Sequence, residues 1–248
     1  MQISTRYMSP NWNERPSGVS IDMVILHYTG MKTGEEALQR LCDPDAAVSS
    51  HYLIEEDGEI FQLVAEEKRA WHAGVSHWQG RENINHNSIG VELVNPGHEF
   101  GYRAFPPAQI DSLLALLVGV KARHKIPTGG FLGHSDIAPG RKVDPGHLFP
   151  WRQLAAEGFG VFSDRIASDT AVRLRLDDTG PLVNKVNKQL AIVGYRGCDN
   201  VTFGQGTAHV LKAFQAHWRP EEINGVLDEG TAIVLDDIAQ MTLQGDTE

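Results

Sequence analysis

The sequence predicts an α/β domain with a mixed central sheet and flanking helices, followed by a small three-helix domain. Three observations carry this. Before residue 160, short apolar runs closed by turn residues alternate with stretches of helical period. Asp57-Gly58 stands between two runs of strand character, a hairpin signal that calls for antiparallel pairing inside the sheet. After residue 180, three amphipathic helices follow one another.

Each element follows from its local pattern. MVILHYTG, 23–30, is a short apolar run closed by Thr-Gly and predicts a buried strand. EEALQRL, 35–41, predicts a short helix, and HYLIEEDGEIFQLV, 51–64, a hairpin. SIGVELV, 88–94, is another strand: Ile89, Val91 and Leu93 share one face, Gly90, Glu92 and Val94 the other. Ile110, Leu113, Leu114, Leu117 and Val120 form one helical stripe ending near His124. GGFLGH, 129–134, closes the series as a short strand entering a loop. Composition then shifts. Residues 1–160 form the first domain, 161–182 a polar connector in which AVRLRL could be a short strand, and 183–248 the helical domain. Its three apolar faces are Val183, Val186, Leu190; Val210, Phe214, Trp218; and Ala232, Leu235, Ile238, with Asp228 placed to cap the third helix.

Composition excludes several function classes. Net charge is −10 and neither half of the chain is basic, which argues against nucleic acid or an anionic membrane as a partner. No apolar run is long enough to span a membrane. The N-terminal stretch MQISTRYMSPNWNERPSG lacks the apolar segment of a signal peptide, so a cytoplasmic protein is expected, or a periplasmic one if a leader has been removed. Cys42 and Cys198 fall far apart without metal-type spacing, so no disulfide framework is expected.

Nine of the eleven histidines precede residue 160, which puts any metal chemistry in the first domain. His27 ends a predicted strand, His134 ends another, and Asp144 lies in the loop GHSDIAPGRKVDPG, 133–146, stiffened by proline and glycine. Two imidazoles and one carboxylate make a zinc-type set that leaves a position open for water. Spread over more than a hundred residues, they are equally open to being three unrelated polar side chains. Glu92 is a carboxylate within an apolar strand, costly to bury unless it is paired or functional, and suited to a general base if desolvated. An edge-strand glutamate facing solvent is the alternative. Lys142 stands two residues from Asp144, where it either stabilises an oxyanion or is an ordinary surface lysine.

These blocks together are similar to a known family. HYTG at 27–30, SSHYLIEEDGEIFQLV at 49–64, AWHAG at 70–74, SIGVELVN at 88–95 and GHSDIAPGRKVDPG at 133–146 resemble, in the same order, the zinc-dependent type 2 N-acetylmuramoyl-L-alanine amidases, close to the AmpD- and AmiD-like branches. The resemblance covers roughly residues 20–152. It implies the type 2 amidase (peptidoglycan-recognition-like) fold, zinc ligands at His27, His134 and Asp144, a catalytic glutamate at Glu92 and a transition-state lysine at Lys142. Trp71 and His72 would form a cleft wall against a sugar ring, with Trp78 and Arg81 as further substrate contacts. Whether Trp71 is simply core, and whether His51 supports the site or is a core histidine, stay open. The helical domain resembles, more loosely, a peptidoglycan-binding module with a G-x-x-D-x-x-T turn (Gly225, Asp228, Thr231), or else is a helical cap.

The implied activity is hydrolysis of the amide between N-acetylmuramic acid, in its 1,6-anhydro form or not, and L-alanine, in peptidoglycan or its turnover fragments. A non-catalytic peptidoglycan-recognition protein is one rival, but such proteins typically lose a ligand. A zinc peptidase acting within the stem peptide is the other.

Overall fold

A computed structural model describes residues 2–165, 170–197 and 201–245. Cys198 lies outside the described residues, as do 166–169 of the expected connector and the last three residues of the chain. The expected sheet is present and mixed. Its strands are β1 (Ile3–Ser4), β2 (Met23–Tyr28), β3 (Tyr52–Ile54), β4 (Ile60–Gln62), β5 (Ser88–Leu93) and β6 (Phe131–Gly133), in the spatial order β1-β4-β3-β5-β2-β6. Only the β3–β4 hairpin pairs antiparallel; every other neighbour runs parallel. Parallel neighbours align the C-terminal ends of β2, β3, β5 and β6 along one edge, where open α/β sheets build their sites.

Alternation along the strands decides what covers each face. Val24, Leu26, Ile89, Val91 and Leu93 pack with the helix α2 (Pro107–His124) through Ile110, Leu113, Leu116, Leu117 and Val120. Leu116 is fully buried, whereas the expected Leu114 lies on the flank of the stripe and packs only partly. On the opposite face, Leu53, Phe61 and Val94 meet Ala37, Leu38 and Leu41 of α1 (Gly34–Cys42). Thr33 caps that helix, its side chain accepting from the Glu36 N–H.

The remainder of that second face is covered by the C-terminal helices. After two short helices, α3 (His134–Ile137) and α4 (Trp151–Ala156), come α5 (Pro181–Val193), α6 (Gln205–Trp218) and α7 (Glu229–Gly245). Asp228 caps α7 by accepting from Thr231 N–H at 2.7 Å, and it also takes two bonds from buried Arg219, at 2.8 and 2.7 Å. Met23, Ile25, Trp78, Leu132 and Ile137 share one continuous core with Val193, Tyr195, Phe214 and Trp218. Within the range expected to be a polar connector, Val172–Leu174 forms a strand paired with Leu227–Asp228.

A buried polar joint fastens this contact. Asp136, fully shielded, accepts from Gly133 N–H at 2.7 Å, Tyr195 O–H at 3.0 Å and His217 Nδ1 at 2.7 Å. The His217 ring lies stacked between Trp151 and Trp218, at 3.7 and 3.8 Å. Burial first, and the neighbouring Asp136 second, keep the Tyr195 phenol protonated and therefore a donor. Tyr195→Phe removes one hydrogen bond to a buried carboxylate, and urea unfolding should show a loss of about 1.5–3 kcal/mol. A change within 0.5 kcal/mol, the range of about zero for a surface substitution, would mean the joint contributes nothing.

Candidate active site

The register of β2 against β5 pairs His27 with Glu92, side by side at the C-terminal ends of two parallel strands. Gly133 of β6 pairs with Leu26, so His134, the next residue, enters from the other neighbour. The loop beyond α3 then brings Asp144 back, and Ser135 N–H donates to the Asp144 carbonyl at 2.9 Å. Three side-chain atoms meet there: His27 Nδ1, His134 Nδ1 and Asp144 Oδ2, separated by 3.0, 3.0 and 2.9 Å, all on buried residues. Lone pairs this close in a dry site need positive charge between them. Two nitrogens and one carboxylate oxygen suit a divalent cation with one position left open.

The hydrogen bonds behind these atoms assign the imidazole protons. Ser88 O–H donates to the Ile84 carbonyl at 2.7 Å, so its oxygen accepts from His72 Nε2–H, at 3.2 Å. That leaves His72 Nδ1 with a lone pair, which accepts from His27 Nε2–H at 3.0 Å. His27 Nδ1 consequently faces Asp144 and His134 bare of a proton. Burial first, then the adjacent His134, hold the His27 pKa down to about 4, so the ring is neutral at pH 7. On the other side, His134 Nε2–H donates to the Ala73 carbonyl at 3.1 Å, freeing its Nδ1 in the same way. Arg141 donates to that carbonyl at 2.6 Å and to Val75 at 2.7 Å, tying the 133–146 loop to the AWHAG segment. Burial alone would raise the Asp144 carboxyl; His134 first and His27 next lower it when their Nδ1 atoms carry protons, and with both Nδ1 atoms bare a bound cation has to take over that role.

Glu92 stands on the same face as His27. Its Oε2 is shut from solvent without a hydrogen-bond partner, and its pKa is pushed well up by burial first and by Asp144 second. An orphaned carboxylate oxygen beside a metal-type cluster is fitted to receive a proton. Gly90, two residues earlier on this face, has to be bare, because a Cβ there would sit 2.5 Å from the His72 ring. The cluster opens into a cleft of about 430 Å³ whose walls include Tyr28, Ala37, Arg40, Leu41, Val48, Glu92, Lys142 and Asp144. A larger hollow of about 610 Å³, between Trp151, Phe162 and Trp218, contains none of the three ligand candidates.

The other expected site residues separate into three groups. Lys142 lines the cleft and is exposed, so the structure brings together His27, Glu92, His134, Lys142 and Asp144. His72 also borders the cleft, as expected, and its polar atoms face His27 and Ser88, so it supports a ligand candidate as well. Trp71, Trp78 and Arg81 are not brought to this cleft. Trp71 Nε1 donates to Asn13 at 2.5 Å, Trp78 is buried edge-on to Tyr195, and Arg81 pairs with Asp22 at 2.6 Å. Trp78 is engaged within the fold, whereas Trp71 and Arg81 keep part of their surface open to solvent away from this cleft. His51 is a core histidine: its Nδ1 accepts from Gly90 N–H at 2.9 Å, and its Nε2 meets the Lys68 carbonyl and Arg15. Ser88 and Arg141 escaped the sequence reading. The one available signal was a serine opening an apolar strand whose next same-face residue is a glycine.

The family profile described as N-acetylmuramoyl-L-alanine amidase matches residues 17–147. This chain belongs to that family. The amidase is 37% identical over 226 residues to N-acetylmuramoyl-L-alanine amidase AmiD of Escherichia coli, covering 86% of this chain and 80% of the relative. It is 38% identical over 168 residues to 1,6-anhydro-N-acetylmuramyl-L-alanine amidase AmpD of Salmonella typhimurium, covering 61% of this chain and 88% of that one. Among solved structures, AmiD from E. coli with the substrate anhydro-N-acetylmuramic acid-L-Ala-D-gamma-Glu-L-Lys superimposes with a TM-score of 0.76 at 34% identity, over 92% of this chain and 93% of that chain. AmpDh3 from Pseudomonas aeruginosa gives 0.75 at 30%, over 94% and 98%. The likeness to the two solved relatives thus extends over 92% and 94% of this chain, while the AmpD match spans a smaller share.

The proton assignments generate a test. His72→Phe keeps a ring of similar size but cannot accept from His27 Nε2–H. Metal affinity measured by chelator competition should fall roughly 10–100-fold, the usual cost of losing an outer-shell partner. Affinity equal to the parent's would show that His27 needs no such support.

Proposed function

We propose that this amidase hydrolyses the amide joining the lactyl group of N-acetylmuramic acid to L-alanine in peptidoglycan fragments, with zinc held by His27, His134 and Asp144. The observation that carries this reading is the orphaned Glu92 Oε2 at the convergence of those three side chains. Family membership and the muropeptide named in the AmiD complex support the substrate class. A recognition protein that only bound the wall would have no use for a desolvated carboxylate with its pKa raised.

Zinc, when bound, supplies a Lewis acid that makes water more acidic and polarises a carbonyl. Glu92 does the proton work: Oε2 accepts a proton from the attacking water and passes it to the departing alanine nitrogen. Lys142, exposed in the same cleft, presents an ammonium to the negative charge that develops on the carbonyl oxygen. In this reading residues 1–160 are the catalytic part, 161–182 the connector and 183–248 a helical part that holds peptidoglycan. The core in which Trp78 meets Tyr195 favours a helical part carried rigidly with the catalytic one. Among the described residues no helix is long and apolar enough to cross a membrane.

Mass spectrometry of products from defined muropeptides, with and without chelator, tests the reaction. Release of the intact stem peptide, lost on chelation and regained with zinc, is the expected result. Cleavage inside the stem peptide would overturn the assignment. Glu92→Gln should retain zinc while turnover falls roughly 10²–10⁴-fold, the contribution of a positioned acid–base group. His134→Ala should lose zinc and activity together. A Glu92→Gln protein within a few fold of the parent would remove Glu92 from the mechanism.

A further inference from the structure

Within the cleft, the cations are more telling than the anions. Arg40, Arg141 and Lys142 line it against Glu92 and Asp144, in a chain whose net charge is −10. A cationic recess in an acidic protein focuses field toward an anionic ligand. The three cations are not equivalent. Arg141 donates to the Ala73 and Val75 carbonyls, and Lys142 is placed for the reacting carbonyl. Arg40 has neither duty. It sits in the last turn of α1, its side chain exposed, and among the described residues no carboxylate pairs with it. Favourable placement at a helix C-terminus explains a positive residue there, but many positions in that turn would serve. This one is on the cleft wall.

Met31, Ala37, Leu41 and Val48 also line the cleft, and they belong to one apolar cluster built on α1, the helix that carries Arg40. A small methyl group followed by a carboxylate would match such a surface. The substrate class proposed above has this sequence of groups. Beyond the scissile amide comes the methyl of L-alanine, then a D-glutamate joined through its γ-carboxyl, which leaves its α-carboxylate free. Consecutive Cα atoms are about 3.8 Å apart, so that carboxylate follows within roughly 7 Å of the scissile nitrogen. Arg40 and the three ligand candidates line one and the same cleft, of about 430 Å³. A guanidinium suits the group, because its fork matches a carboxylate with two parallel hydrogen bonds.

We propose that Arg40 binds the free α-carboxylate of the γ-linked D-glutamate, so that the amidase selects stem peptides with that carboxylate ionised over those in which it is amidated. The inference rests on the amidase reading and names the part of the substrate beyond the bond that is cut. Arg40 acts in recognition alone; proton transfer stays with Glu92.

Two soluble muropeptides decide it, N-acetylmuramoyl-L-Ala-γ-D-Glu-L-Lys and its counterpart with D-isoglutamine at the second position. With the zinc-loaded full-length protein, the acid should be cut with kcat/KM about 10–100-fold above the amide, the worth of one charge-assisted pair. Arg40→Met should raise KM for the acid by that factor, leave kcat unchanged and leave the amide almost untouched. Arg40→Lys should recover part of the preference. The product tripeptide L-Ala-γ-D-Glu-L-Lys should inhibit the parent with a Ki about 10–100-fold below that for Arg40→Met, an arm independent of turnover. Equal cleavage of both substrates by the parent, or an unchanged ratio in Arg40→Met, overturns the role of Arg40 and leaves the amidase reading intact. If the parent cuts neither, the amidase reading fails and this inference fails with it.

Discussion

Two imidazole nitrogens and a carboxylate oxygen, each with a lone pair aimed at the others across about 3 Å, set the terms for everything around them. Such a group is stable in a dry interior only if protons are kept off the nitrogens and a cation compensates the carboxylate. The fold meets the first condition with backbone carbonyls. Ile84 fixes Ser88, Ser88 fixes His72, and His72 fixes His27; Ala73 fixes His134 directly. Each tautomer is therefore decided at a carbonyl one to three side chains away from the metal position. Glu92 gains its raised pKa from the same dryness, and its place from the strand register that puts it beside His27.

The sheet explains why these groups meet at all. His27, Glu92 and His134 are separated by scores of residues in sequence, yet all lie at the C-terminal ends of three neighbouring parallel strands. The face they share is covered by α1 on one side and by the C-terminal helices on the other. The cleft is what remains between α1 and the 133–146 loop. Its shape is consequently a product of both coverings, even though all of its lining residues come from the first 144 residues.

Much of this is legible in the sequence alone. Strands betray themselves by apolar runs between turn residues, and β2, the β3–β4 hairpin, β5 and β6 fall where the runs were. The five central site residues were found through blocks of sequence, and the geometry brings those five to one cleft. What stayed hidden were contacts between residues whose side chains have more than one plausible use. Trp78 could stack on a sugar or fill a core; only the arrival of Tyr195 from the helical part decides for the core. Asp136 reads as one more polar residue in a loop, because its partners Tyr195 and His217 lie 59 and 81 positions away. His72 is legible as a cleft residue, but its bond to His27 is not, since hydrogen-bond direction depends on Ser88 and Ile84 and has no sequence signature.

The bare backbone at Gly90 has a wider implication. Its absent side chain is the space that the His72 ring fills, and His72 in turn governs His27. A genetic screen for loss of function would therefore find hits at a residue that touches no metal, no substrate and no solvent. Anyone transplanting this site into another scaffold would have to copy that vacancy as faithfully as the ligands. The active site, as an inheritable object, includes a place where nothing is allowed to grow.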